Sequence, residues 1–250
     1  MSEPSLILIA AVFLLAGFVK GVVGLGLPTV AMGLLATRMA PAHALAIVIV
    51  PSITTNIWQT FGGPYLRDIL RRLWPMLIGL LFGIWCGSGM MVGPYARYGT
   101  LILGALLIIY GIIGLRKVRF HVPPAKEKWI GSIVGVITGA VSAATGVQVI
   151  PSMPFMQAIG LEKDELVQAL GVFFTTGTLG LILGLADAGL LTVSIAVPGL
   201  VALAAGFAGM YVGQNVRTRL HPDAFRRWFL IAMIGLGVYL GIEAIQKIAA

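Results

Sequence analysis

The residues best suited to chemistry lie in one apolar stretch near the amino terminus, FVKGVVGLGLP at residues 18–28. A single lysine, Lys20, is followed there by three glycines and by Pro28. Glycine lets the backbone turn without side-chain collision, and proline suits the first position of a helix, where its missing N–H costs nothing. A helix that starts inside the protein turns exposed N–H groups and the positive end of its dipole towards that point. The stretch therefore predicts an anion-binding site, formed by Lys20, Gly24, Leu25 and Gly26.

A second stretch, SAATGVQVIP at residues 142–151, has hydroxyl and amide side chains where the first stretch has glycines. Hydroxyl and amide groups donate hydrogen bonds to anions without adding charge. We therefore expect Thr145, Gly146 and Gln148 to complete the site from the other side.

Polar side chains also occur in the apolar stretches that follow these two segments. Asn56 is favoured as a ligand, because an amide in hydrocarbon needs partners that its own helix supplies poorly. Thr175 and Thr176 are further candidates, although a threonine in a membrane helix often bonds only its own backbone. Other polar residues with the reach to contribute are Thr54, Thr55, Gln59, Gln168 and Thr178.

Each of these features has a simpler explanation. Glycines in membrane helices often serve close packing between helices, and a lysine near a helix end can extend its ammonium group to the membrane surface. Lys20 is some 15 residues from the start of its apolar stretch, at Ser5. An ionisable residue at that depth is a functional candidate by default.

The composition requires a lipid environment for these elements. Hydrophobic residues make up 58% of the 250 residues, charged residues make up 10%, and the mean hydropathy is +0.99. A soluble fold of this length cannot bury so much apolar surface. The chain is therefore predicted to be an all-α polytopic membrane protein, with the lipid bilayer as its solvent.

Apolar stretches near the spanning length of about 20 residues mark the membrane segments. Two of them, 5–37 and 129–160, are too long for one ordinary helix. The remaining stretches are 42–62, 73–93, 98–115, 166–186, 189–214 and 228–248.

The basic residues predict the orientation. Most of the 17 Lys and Arg lie in 67–72, 116–128 and 217–227, and basic residues in short loops stay on the cytoplasmic side. With these three segments in the cytoplasm, 129–160 must return to the side from which it came. It is therefore predicted to be a broken, re-entrant-type hairpin with two arms of roughly 16 residues, and so is 5–37. Both termini are expected outside the cytoplasm, in a multi-pass protein of the inner or plasma membrane.

Matched segments indicate an internal repeat. Residues 17–21 match 135–139, 44–47 match 169–172, and 94–97 match 222–226, while Pro75 with Gly83 matches Pro198 with Gly206. The predicted fold is two inverted-topology repeats, 5–115 and 129–248, joined by a cytoplasmic linker at 116–128. Each repeat consists of one hairpin and three transmembrane helices, an architecture that recurs in secondary transporters.

Enzyme chemistry has no support in the sequence. Neither an HExxH nor a GxSxG motif occurs, and the three histidines and one cysteine are not grouped at metal-ligand spacing. We expect no enzyme activity, no cofactor, no metal and no nucleic-acid partner, and the sequence leaves a homodimer open. The +8 net charge is mainly a topology signal.

The two hairpin sequences, GFVKGVVGLGLP at 17–28 and GVITGAVSAATGVQVIP at 135–151, resemble those of the TauE/SafE family of sulfite and organosulfonate exporters. The resemblance covers nearly the whole chain. Leu25 and Leu27 in the first hairpin, and Val147 and Gln148 in the second, depart from the longer glycine runs of that family. The resemblance implies export of a small sulfur-containing anion such as sulfite or sulfoacetate.

Three alternatives remain open at this stage. The same lysine and helix ends would suit a passive anion channel or a transporter of another small anion, and a non-transporting scaffold would bind no anion. Because no acidic residue lies near the predicted turns, a proton relay through the protein is unsupported. Either the membrane potential drives the anion outward, or the proton travels on the substrate.

Overall fold

The computed structural model describes residues 5–23, 26–87, 96–116, 121–161, 163–189, 195–217 and 222–249. Gly24 and Leu25 lie outside these residues. All regular structure in the described residues is helical, with no strand. The helices are α1 Leu6–Val23, α2 Leu27–Leu35, α3 Pro41–Phe61, α4 Leu66–Gly87, α5 Ala96–Arg116, α6 Glu127–Thr145, α7 Ser152–Ala158, α8 Lys163–Asp187, α9 Ala196–Arg217 and α10 Pro222–Ala249.

Within the described residues, 7 helices are long and apolar enough to cross a membrane. They are α3, α4, α5, α6 with the turn before it, α8, α9 and α10. α1 falls just short of that length. The predicted all-α, multi-pass membrane protein is confirmed.

Both overlong stretches consist of a long helix followed by a short one. α1 has 18 residues and α2 has 9, while α6 has 19 and α7 has 7. The prediction of two similar arms of roughly 16 residues was therefore wrong. Hydropathy alone does not locate the break, because both sides of it are apolar or small. We call α1 with α2 hairpin one, and α6 with α7 hairpin two.

Several helices begin away from the predicted spans. α4 starts at Leu66 and α10 at Pro222, so much of the predicted basic loops is helical. α9 starts at Ala196, later than the span predicted from residue 189. Hydropathy marks where a helix lies in lipid, whereas a helix continues as long as its backbone hydrogen bonds do. Arginine is a good helix former, and Asp68 in the first turn of α4 favours its start.

Long helices pack in pairs with their backbones in close approach. α1 lies along α9, α4 along α6, and α5 along α10. A Cβ added at Gly17 would overlap the carbonyl oxygen of Gly206, and one at Gly83 would overlap that of Val136. These glycines permit the close approach that drives helix association in lipid.

α3 and α8 are the most buried of the spans and pack against each other at the centre of the molecule. The buried Gln168 of α8 is hydrogen-bonded to the end of α3 and to the connection that follows it. Its Nε2 donates to the carbonyls of Thr60 (2.8 Å) and Gly63 (2.7 Å), and its Oε1 accepts from the Tyr65 amide (2.9 Å). Gln168 therefore positions the α3–α4 connection and does not reach the hairpin turns.

Candidate functional site

One cavity lies where the turns of the two hairpins meet between α3 and α8. It brings together segments that are more than a hundred residues apart in the chain, and none of the described residues that line it is acidic. Its lining residues are Gly26, Pro28, Thr29, Leu45, Val48, Ile49, Ser52, Asn56, Gly146, Gln148, Val149, Phe174, Thr178 and Leu181.

Lys20 lies in the last turn of α1 and is only 6% exposed. Its Nζ donates to Thr55 Oγ1 (2.9 Å) and to Asn56 Oδ1 (3.4 Å) on α3. The carboxyl end of a helix attracts positive charge. No ion pair to Lys20 occurs among the described residues, so its contacts there are neutral oxygens.

The contact with Lys20 fixes the orientation of the Asn56 amide. An ammonium group has only donors, so the oxygen of the amide must face it. The amide nitrogen of Asn56 then points away from the lysine. Asn56 lines the cavity, whereas Lys20 lies one residue behind it.

In hairpin one, the turn ends at Gly26, which has a φ of 105° and precedes α2. This left-handed conformation suits glycine because any Cβ would strain it. No side chain caps the amino end of α2. Pro28 is the second residue of α2, not the first as predicted, and it still lies in the turn where its missing N–H is tolerated.

In hairpin two, the turn is closed by its own groups. The Gly146 amide, at a φ of 72°, donates to the Ser142 carbonyl (2.7 Å). Ser142 Oγ donates to the Val147 carbonyl (3.2 Å), and Thr145 Oγ1 accepts from the Val147 amide (3.2 Å). Thr145 is fully buried but does not line the cavity. Its role in this structure is to shape the turn.

Three polar side chains of the cavity wall have an atom with no hydrogen-bond partner in the described part of the chain. They are Thr29 Oγ1, Ser52 Oγ and Gln148 Oε1. All three residues are at least nine-tenths buried, with exposures of 1%, 3% and 7%. Sequence reasoning missed Thr29 and Ser52. The available signal was that Ser52 lies one helical turn before Asn56, and so on the same face of α3.

The threonine candidates on α8 do not reach the cavity. Thr175 shares a hydrogen bond with Thr60 (3.0 Å), and Thr176 donates to the carbonyl of Val172 (2.9 Å). Thr178 lines the cavity instead. Which face of α8 points inward depends on how the helix is rotated, and a sequence with small and apolar residues on all sides does not fix that rotation.

The structure thus brings Gly26, Asn56, Gly146 and Gln148 to one cavity and places Lys20 beside it. Among the described residues, no group of three or more His, Cys, Asp or Glu side chains has the arrangement to hold a metal ion. The arrangement can offer hydrogen bonds and one positive charge to a small ligand.

Comparison with protein-family models gives a match to "Sulfite exporter TauE/SafE" over residues 9–240. Neither curated proteins nor solved structures give a significant match. The family match spans nearly the whole chain, including both hairpins, α3 and α8. The chain therefore belongs to the sulfite exporter TauE/SafE family of membrane transporters.

Proposed function

We propose that this protein exports a small sulfur-containing anion, sulfite or a short organosulfonate such as sulfoacetate, across the cytoplasmic membrane. The anion binds in the cavity between the two hairpin turns. The observation that carries the proposal is the Lys20–Asn56 contact, which puts a buried charge directly behind the cavity wall.

The electrostatics of Lys20 favour an anionic ligand. A charged group in the membrane interior costs several kcal/mol unless it is paired, and Thr55 and Asn56 supply only neutral oxygens. A bound anion in the neighbouring cavity would supply the missing negative charge. Asn56 lies between Lys20 and the cavity. Its amide is therefore polarised by the ammonium group and donates a hydrogen bond to the anion.

The helix packing supports an inverted repeat. Gly17 and Gly21 of α1 pack on the backbone of α9 at Gly206 and Met210. The corresponding glycines of α6, Gly135 and Gly139, pack in the same way on Met76 and Leu80 of α4. Under an inverted repeat, α1 is equivalent to α6 and α9 to α4. This equivalence matches Met76 with Gly206, and therefore matches Gly83 with Gly213. The sequence comparison matches Gly83 with Gly206, which lies two helical turns before Gly213.

The position of the cavity supports a site near the middle of the bilayer. Its lining residues on α3 run from Leu45 to Asn56, and those on α8 run from Phe174 to Leu181, around the centre of each helix. Both hairpin turns would then lie at mid-depth, as the broken helices of secondary transporters do.

The base of hairpin two supports a re-entrant path. Arg72 pairs with Glu127 at the start of α6, and its Nη2 donates to the Ile159 carbonyl just after α7 (2.7 Å). The hairpin therefore begins and ends beside the basic end of α4. By the basic-residue rule this end is cytoplasmic, and both termini of the chain are outside.

A cysteine at position 119, introduced as Arg119→Cys in the linker, tests this orientation. An impermeant thiol reagent added to intact cells should leave it unlabelled until the membrane is permeabilised. The exposed native Cys86 must first be replaced by Ala. Labelling from outside in intact cells would contradict the orientation.

Counterflow in liposomes tests transport itself. Vesicles containing the purified protein and unlabelled sulfite should accumulate labelled sulfite, and an imposed membrane potential should shift the distribution by about 2.3 kcal/mol per 100 mV for one charge. Protein-free vesicles are the control. Absence of counterflow together with single-channel currents in planar bilayers would favour the passive channel instead.

A further inference from the structure

The cavity wall contains polar atoms that find no hydrogen-bond partner within the described ranges of the chain. Thr29 Oγ1, Ser52 Oγ and Gln148 Oε1 come from hairpin one, α3 and hairpin two, and none has a hydrogen-bond partner among the residues that the structure describes. A buried polar atom without a partner is costly. Three such atoms around one cavity indicate that the contents of the cavity are their partners.

The directions of these hydrogen bonds are partly fixed. The Gln148 oxygen can only accept a hydrogen bond, whereas hydroxyls such as that of Ser52 can donate or accept. Asn56, also in the cavity wall, has its oxygen turned to Lys20, so its amide nitrogen, which can only donate, faces away from the lysine. A complementary ligand needs acceptor oxygens for Asn56 and a hydrogen-bond donor for Gln148.

The charge beside the cavity is limited to one unit in the described residues. Among the described residues, Lys20 is the only cation that hydrogen-bonds to a lining residue, and no acidic residue lines the cavity. A singly charged anion matches one ammonium group. A doubly charged anion would leave an uncompensated charge in a buried site, which is expensive.

We propose that the cavity selects an oxoanion with one negative charge and one hydrogen-bond donor, and that Gln148 Oε1 accepts the hydrogen bond from this donor. This inference rests on the proposed anion site, and among the proposed substrates it excludes sulfoacetate, which at neutral pH carries two negative charges and no hydrogen-bond donor. Two sources share the chemistry: a singly protonated inorganic anion such as hydrogensulfite, and a sulfonate that carries a hydroxyl group. For the inorganic anion, the proton would leave with the substrate, and no carboxylate relay in the protein would be needed.

A pair of matched probes tests the role of Gln148. Isethionate and 1-propanesulfonate have the same number of heavy atoms and the same charge, and differ in a hydroxyl in place of a methyl group. Isothermal titration of the purified protein should show at least tenfold tighter binding of isethionate, because a site that accepts a hydrogen bond rejects the analogue that lacks the donor. Gln148→Met, similar in size but without the amide, should bring the ratio close to one.

Thr29→Val is the matched control, because it removes a hydroxyl from the same cavity and leaves the Gln148 acceptor in place. It should weaken both probes and preserve the preference. Thermal unfolding of each variant checks that it is folded. The ratio measured with the wild-type protein requires no variant and tests the inference even if Gln148→Met fails to fold.

Sulfite titrated over a pH series distinguishes the inorganic source. Its affinity should fall tenfold relative to that of 1-propanesulfonate for each pH unit above the point where hydrogensulfite loses its proton. A change in the charge of Lys20 affects both anions and cancels in this ratio. Tight isethionate binding without this decline for sulfite would assign the site to the hydroxyl-bearing sulfonates.

Equal wild-type affinity for both sulfonates, together with pH-independent sulfite binding, would overturn the inference and leave the anion site intact. Failure of every anion to bind, with no sulfite counterflow, would instead overturn the proposed function and this inference with it.

Discussion

The two hairpins bring their turns to the same cavity but are held in different ways. Hairpin one is fixed from outside, through the hydrogen bonds from Lys20 to Thr55 and Asn56 on α3. At the matching position of hairpin two, Thr138 donates only to the carbonyl of Val134 in its own helix (2.7 Å). The turn of hairpin two is closed by its own backbone and hydroxyls.

This difference shows that two hairpins of similar build can differ in their chemistry. The hairpins have similar helices and similar glycine packing, and they differ in the charge that approaches the cavity. Hairpin one provides the cation, through Asn56, and hairpin two provides the amide of Gln148. A site with one charged side and one neutral side can bind an anion in a single orientation.

The largest effect is expected at the glycines that the two hairpins share. A Cβ at Gly17 or Gly135 would overlap a backbone carbonyl oxygen of α9 or α4, which cannot move without displacing the helix. We expect Gly17→Ala and Gly135→Ala to destabilise the protein by about 3 kcal/mol or more. Yield and thermal unfolding in detergent measure this. Gly235→Ala is the control, because no atom lies within 4 Å of its added Cβ. If only one of the two variants, Gly17→Ala or Gly135→Ala, kept the wild-type stability, the two hairpins would not share the same packing constraint.

The turns should come next in effect. Gly146→Ala and Gly26→Ala both force a side chain into a left-handed backbone conformation, at a cost of about 1–3 kcal/mol. At Gly146 the added Cβ would also lie 2.9 Å from Leu45 Cδ1, whereas at Gly26 the nearest atom is 3.6 Å away. We expect the larger drop in melting temperature and in anion affinity for Gly146→Ala. Gly160→Ala is the control for strain alone, because no atom lies within 4 Å of its Cβ. Equal changes in melting temperature and in anion affinity for all three variants would show that the cavity does not depend on the conformation of the two turns.

The charge of hairpin one should have an intermediate effect. We expect Lys20→Met to lower the affinity for sulfite and isethionate tenfold or more, about 1.4 kcal/mol, by removing the charge behind Asn56. Lys20→Arg should retain part of the binding, because a planar guanidinium keeps the charge but changes the geometry. Adding Thr138→Lys to Lys20→Met should not restore binding, since Thr138 is hydrogen-bonded within its own helix and not to α8, the counterpart of α3, in the described residues. Titration calorimetry on the three variants measures this, and wild-type affinity in Lys20→Met would exclude the proposed role of the lysine.

The smallest effect is expected at the base of hairpin two. Arg72→Gln removes the ion pair with Glu127, which is partly exposed, so we expect a loss of up to about 1 kcal/mol that decreases with added salt. Anion affinity should stay unchanged, because Arg72 does not line the cavity. Arg71→Gln, at the exposed neighbouring position, is the matched control in thermal unfolding. A large loss of transport in Arg72→Gln would mean that the base of the hairpin takes part in the transport cycle.

The fold class followed from hydropathy because apolar residues in such numbers are stable only in lipid. The broken helices at 5–37 and 129–160 followed from their length and from the basic residues around them. Their unequal arms did not, because apolar or small residues lie on both sides of each break and hydropathy does not locate it. The starts of α4 and α10 were missed because helical hydrogen bonding continues past the lipid boundary.

For the site, the sequence determined the residues whose chemistry is rare in a membrane: one embedded lysine, one asparagine in the following span and one glutamine in the second turn. Thr29 and Ser52 could not be selected, because a hydroxyl can satisfy itself on its own helix. Their unpartnered state depends on the cavity around them. Only the tertiary structure decided that Thr178 faces inward while Thr175 and Thr176 do not, because helix rotation is set by packing against α3 and not by local sequence.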